Sequence, residues 1–179
     1  MAAAARQRHE SATSRPSSRS AFGYAEPMQS FNLFADYFQF YLQDEAVDGD
    51  FSDAWTHEAV TRLLAVAPGA VGVGTVRNME VPVSLEVLAS EPPLNAAPYD
   101  HIVEGPLSVA GKRLVIAGCT DYFPEAARIQ IAPGSYRVRV CYSGLDSLSE
   151  DGLDGDDRYH LQLWPAPLSD VAVVKQRAQ

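Results

Sequence analysis

Ser135-Tyr-Arg-Val-Arg-Val-Cys-Tyr142 and Arg158-Tyr-His-Leu-Gln-Leu-Trp164 both alternate apolar with polar side chains. A period of two is the mark of a strand that turns one face to a core. In the first stretch Tyr136, Val138, Val140 and Tyr142 share one face, and Arg137, Arg139 and Cys141 the other. In the second, Leu161 and Leu163 alternate with His160, which is expected to face solvent. Between them runs Gly144-Leu-Asp-Ser-Leu-Ser-Glu-Asp-Gly-Leu-Asp-Gly-Asp-Asp157, with six carboxylates and no basic residue. Two strands joined by an acidic loop are the first element of the fold.

Working outward, Phe31 to Gln43 is aromatic-rich and alternating, and reads as one strand. Asp44 to Asp53 reads as a loop. Ala54 to Ala67 places Trp55, Ala59 and Leu63 four residues apart, which predicts the one substantial helix, ended by Pro68-Gly69. The β-branched runs Ala70–Arg77 and Val81–Leu88 predict a hairpin about Asn78-Met79-Glu80. Further strands are expected at 99–104, 113–117, 128–131 and 171–175, with Gly111-Lys112 and Pro133-Gly134 as turns. About nine short strands and one short α-helix predict a mainly β fold, an antiparallel β-sandwich.

The 179 residues, 46% hydrophobic and 21% charged, suffice for one domain with a full core. Residues 1–23, rich in Ser, Ala and Arg, are expected to form a disordered basic tail, with a single sandwich over 24–179. No apolar run approaches the roughly 18 residues that cross a bilayer, so a soluble cytoplasmic protein without membrane contact is expected. Cys119 and Cys141 fit neither a disulfide framework nor a zinc spacing, consistent with a reducing compartment.

Charge is unevenly placed. Residues 1–27 hold four Arg against Glu10 and Glu26, so the rest carries −11 of the total −9. Direct nucleic-acid binding calls for a basic patch and is disfavoured; a basic protein partner fits better.

No catalytic motif is complete. Cys119 in Gly118-Cys-Thr-Asp121 has no His tied to it by sequence, and strand alternation sets Asp100 and His101 on opposite faces. The glycines of Pro68-Gly-Ala-Val-Gly-Val-Gly-Thr75 follow a helix instead of preceding one, the reverse of a dinucleotide fingerprint, and suit close packing or a bulge. The acidic loop lacks the EF-hand order of ligands, and Gly152 to His160 is a single near-match to a calcium nonapeptide that functions in stacked repeats. No cofactor or metal is assigned. Trp55 reads as core, while Tyr37, Tyr41 and Tyr142 suit either an exposed patch or cross-strand pairs.

Phe38-Gln-Phe-Tyr41, then Trp55-Thr-His-Glu-Ala-Val60, Pro68-Gly-Ala-Val71 and Arg77-Asn78 resemble, in order, the competence protein J family, inhibitors of a DNA-uptake nuclease. The match covers about 37–88. The resemblance implies a small non-enzymatic protein that binds and blocks a nuclease, and it supplies no binding residues. The acidic loop adds a physical means: carboxylates can occupy a basic, phosphate-gripping cleft as charge mimics. The expected partner-binding residues are Asp146, Glu150, Asp151, Asp154, Asp156 and Asp157, facing a basic nuclease or, for an immunity protein, a toxin. The alternative is a calcium- or ligand-binding sandwich module using loop 144–157.

Overall fold

A computed structural model describes residues 27–178; the expected tail, 1–23, lies outside them. Eleven strands follow in chain order: β1 (Gln29–Phe34), β2 (Gln39–Asp44), β3 (Leu64–Ala67), β4 (Ala70–Gly74), β5 (Glu80–Val87), β6 (His101–Val109), β7 (Arg113–Gly118), β8 (Ala127–Gln130), β9 (Gly134–Ser143), β10 (Arg158–Pro165) and β11 (Ala172–Lys175). They form a six-stranded sheet, β1-β5-β10-β9-β6-β11, and a five-stranded sheet, β3-β4-β2-β7-β8. All neighbours are antiparallel except β10 and β5, which pair in parallel. The mainly β sandwich expected from alternation is what the chain forms. Among the described residues no helix is long and apolar enough to cross a membrane.

Alternation decides which side chains meet between the sheets. Phe40, Leu42, Val71, Val73, Leu114 and Ile116 come from one sheet; Val83, Leu85, Val138, Val140, Leu161 and Leu163 come from the other. Fully burying each such side chain contributes about 1.5–3 kcal/mol. Tyr142 and Tyr159 join this layer edge to face, with centroids 5.6 Å apart. The opposite face of β9 is buried too. Arg137 and Arg139 each place Nε on Glu104, at 3.1 and 2.6 Å, and Arg139 lies over the Trp164 ring at 4.8 Å. Arg139 also donates to the Pro92 carbonyl, and Arg137 to Ser169 and Asp170, so both flanking segments are drawn over the sheet.

Three expected elements are corrected. The stretch Phe31 to Gln43 is two strands in different sheets, separated by a 3-10 turn at Asp36–Phe38. Alternation continues across that corner, so it concealed the break. The expected helix 54–67 shrinks to α1 (His57–Thr61), capped by the Thr56 hydroxyl, which accepts the Ala59 N–H at 3.2 Å. Beyond it Leu63 adopts φ 57° and Leu64-Ala-Val-Ala67 becomes β3. There it pairs with β4 through Pro68-Gly69, Gly69 sitting at φ 69° as a hairpin turn demands. Finally, β4 and β5 are not a hairpin: they lie in different sheets, and 75–79 crosses between them.

Candidate functional site

The acidic segment connects adjacent antiparallel strands, β9 and β10. It is held from below by apolar and polar anchors. Leu145 is fully buried in the core and donates its N–H to Asp100 at 2.9 Å. Above this base the loop bonds to itself. The Ser147 hydroxyl donates to the Gly144 carbonyl at 2.6 Å and accepts the Asp156 N–H at 2.7 Å. Ser149 donates its N–H to the Asp154 carbonyl at 2.8 Å, and its oxygen accepts the Asp154 N–H at 2.9 Å. The Ser149 hydroxyl donates to Asp151 at 2.6 Å and the Leu153 N–H at 3.1 Å; these two donors hold the Asp151 carboxyl below its ordinary range. Serines are the local donors such a turn-rich loop requires.

The six predicted carboxylates separate into two groups. Asp146, Glu150, Asp151, Asp154 and Asp156 are exposed. Asp146 pairs with Arg177 at 2.5 Å, its side chain remaining 76% exposed. Asp157 is the correction: it is fully buried and cannot face a partner. Its Oδ1 lies 2.6 Å from Arg77 Nε, a charge contact with the N–H off the line of centres, and its Oδ2 accepts the Tyr159 hydroxyl at 2.8 Å. That tyrosine oxygen in turn accepts the Val76 N–H at 3.0 Å. Arg77 also donates to the Leu153 carbonyl at 3.3 Å. The acidic loop is thereby locked to the crossing segment between the sheets. Strand phase carried the signal for Asp157: it stands two residues before Tyr159, in register with the inward-facing Leu161 and Leu163.

The loop carboxylates do not converge. Among the described residues no group of three or more His, Cys, Asp or Glu is placed to hold a cation. Both thiols are held toward the protonated form: burial, then nearby Asp36, pushes Cys119 up, and burial pushes Cys141 up to about 11. His160 is half-buried, not solvent-facing, with Tyr99 Oη 3.1 Å from Nδ1 and a Glu86 oxygen 3.3 Å from Nε2. Gly72 lies beneath Trp55, Phe51 and Tyr41, where an added Cβ would stand 2.9 Å from the indole, so this glycine serves close packing.

Of the tyrosines weighed as an exposed patch, Tyr142 is buried and donates to the Leu63 carbonyl at 2.6 Å, and Tyr41 stacks on Phe51 at 4.6 Å. Tyr37 alone is open, at 72%. It forms with Phe38 the corner that leads into β2.

His101 sits under the loop's flank, fully buried. Its Nδ1 is 3.2 Å from the Arg177 N–H and therefore accepts, leaving Nε2 to donate to the Arg62 carbonyl at 2.9 Å. Burial, reinforced by the Arg177 charge and opposed by the Arg62 carbonyl, lowers its pKa. Lowering favours the neutral ring in the fold, so the stabilisation is complete above the unfolded value near 6.5 and is lost as pH falls. Each pH unit in which only the unfolded chain takes the proton removes about 1.4 kcal/mol. Melting temperatures measured from pH 7.5 to 5 should fall with acidification, and His101→Gln should flatten that slope.

No family model matches the sequence, and no similar curated protein is found. Among solved structures, the crystal structure of ComJ from Bacillus subtilis, inhibitor of the DNA degrading activity of NucA, superposes with a TM-score of 0.59 over 80% of this chain and 98% of that one. This chain has the ComJ fold. Identity to ComJ is 19%. The product described as crocagin biosynthetic gene J shares the fold at a TM-score of 0.54 and 18% identity, over 81% of this chain and 100% of its own. The residues of the sequence resemblance do structural work within this ComJ fold. Thr56 caps α1, Gly69 turns the β3–β4 hairpin, Arg77 locks the acidic loop, and the Asn78 side chain accepts the Phe38 N–H at 3.4 Å.

Proposed function

We propose that this chain is a non-catalytic cytoplasmic inhibitor of a basic nuclease, or the immunity protein of a nuclease toxin, and that it acts by presenting carboxylates to the cleft that grips phosphate. One observation carries the reading: on a ComJ fold, five exposed carboxylates stand on a loop already fixed by its own hydrogen bonds. A pre-ordered loop loses little conformational freedom on docking, and its field steers a basic partner toward it.

Glu150, Asp154 and Asp156 are the residues to neutralise, because Asp157 is buried, Asp146 is paired with Arg177 and the Asp151 carboxylate is held by donors of its own loop. The variant Glu150→Gln/Asp154→Asn/Asp156→Asn should associate about tenfold more slowly at low salt, with a flatter dependence on ionic strength. Purified protein titrated into the nuclease activity of an extract from its own source should stop plasmid cleavage, and the triple variant should need more protein at unchanged melting temperature. Plasmid cleavage that proceeds at the same rate at every protein concentration would remove the nuclease from the proposal.

A further inference from the structure

The acidic loop has an apolar neighbour that the charge reading leaves unused. Among the described residues three non-glycine positions have a positive φ: Tyr37 at 55°, Phe38 at 59° and Leu63 at 57°. Bulky side chains avoid this region, and such outliers persist only where the surroundings hold them. Here the holding bonds are plain. The Phe38 N–H donates to Ala35 at 3.0 Å, Thr75 donates to the Phe38 carbonyl at 2.8 Å, and Gly74 donates to the Leu63 carbonyl at 2.9 Å. All three residues line one groove of about 520 Å³, together with Trp55, Val60 and Thr75. Tyr37 is 72% exposed, Val60 55% and Phe38 53%. The fold thus keeps two successive aromatics in a disfavoured backbone conformation in order to leave them outside the core.

The groove adjoins the loop on two sides. Thr75 is two residues from Arg77, whose guanidinium bonds the Leu153 carbonyl within the loop. On the other side, Leu63 lines a second depression with His101, Arg177 and the loop's Asp146. The charge around the groove is mixed, with Arg62 keeping its charge beside the carboxylates. Glu58 is exposed on α1 and Asp36 is half-exposed at the aromatic corner, while Arg77 is consumed by Asp157 and the Arg62 side chain donates to the Leu64 carbonyl at 2.9 Å. Interfaces commonly combine an aromatic centre with a charged rim.

We infer that Tyr37 and Phe38, with Val60 and Leu63, are the apolar anchor of the same docking surface, and that they receive an apolar side chain standing beside the basic cleft of the protein that the acidic loop engages. The inference rests on the proposed function for the identity of that protein as a basic one. It divides the labour: carboxylates set the rate of approach, and the aromatics set the lifetime of the complex.

The test places the photo-cross-linking residue benzoylphenylalanine at Phe38, at Asp154, or at Leu168, which lies beyond the far end of β10, in three separate full-length variants expressed in cells of the source. Mass spectrometry then identifies the adducts. The expected result is one protein, with Lys and Arg in excess over acids, joined to positions 38 and 154 and absent at 168. An adduct at 154 without one at 38 overturns the inference and leaves the proposed function standing. An adduct at 38 alone, or a different or acidic protein there, removes the shared partner and with it the inference; adducts at neither position remove both readings. With the captured protein in hand, Tyr37→Gly should raise the dissociation rate about 30-fold, the scale of an interface hot spot. Because glycine tolerates the left-handed backbone, the same variant should melt no lower than the wild type. Unchanged dissociation would overturn the role of the aromatic corner.

Discussion

Arg77→Ala is expected to lower the unfolding free energy by about 3–5 kcal/mol, the usual cost of removing one member of a buried ion pair. Asp157 is fully buried, and after the substitution its carboxylate would keep only the Tyr159 hydroxyl among its present side-chain partners. The loss should spread along the chain, since Arg77 also fastens the Leu153 carbonyl and Tyr159 fastens Val76. Urea unfolding gives the number, and a cycle with Asp157→Leu gives its meaning. The double variant Arg77→Ala/Asp157→Leu leaves neither charge behind and should recover much of the loss. A loss in the double variant equal to the sum of the two single losses would show that the pair does not act as a unit.

Gly144→Ala should be comparably damaging for a different reason. Gly144 has φ 68°, where an L-residue costs about 1–2 kcal/mol. A Cβ there would stand 2.5 Å from the Asp156 carbonyl oxygen and 2.8 Å from its carbon. Those are backbone atoms of the returning arm of the acidic loop, so the arm itself must move, adding about 1–3 kcal/mol of overpacking. The displaced arm carries Asp156 and leads into Asp157. The variant should therefore lose thermal stability and lose partner binding together, whereas Gly152→Ala, with nothing within 4 Å of its Cβ, should feel only its backbone strain at φ 71°. Melting curves of the two variants, measured side by side, separate strain from collision.

Strand phase made much of this fold readable. Tyr136, Val138, Val140 and Tyr142 point inward as alternation requires, and the loop between β9 and β10 joins adjacent antiparallel strands. Two of the failures share a physical cause, which is that the chain changes sheets through segments that hold neither glycine nor proline. Tyr37 and Phe38 make a left-handed corner out of aromatics, so Phe31 to Gln43 reads as uninterrupted. Thr75 to Met79 crosses between sheets under the pull of Arg77 on Asp157, two residues far apart in sequence. Leu64 to Ala67 satisfies helical spacing and extended pairing equally well, and only its partner β4 decides. At the candidate site, five of the six carboxylates lie where a loop of that composition puts them, on the surface. Asp157 departs because its phase belongs to β10.

The parallel pairing of β5 with β10 has a temporal consequence. Inside the six-stranded sheet, β1 and β5 have no neighbour but each other until β10 arrives, and β10 begins at Arg158. A nascent chain would hold them as a two-stranded ribbon, marginal by itself, through the synthesis of some 70 intervening residues. The second backbone edge of β5 would stay unpaired throughout. Closing so long a loop is slow, and chains built on such distant pairings fold on the millisecond-to-second scale. The free edge of β5 stays open to wrong pairing until residues 158–165 leave the ribosome.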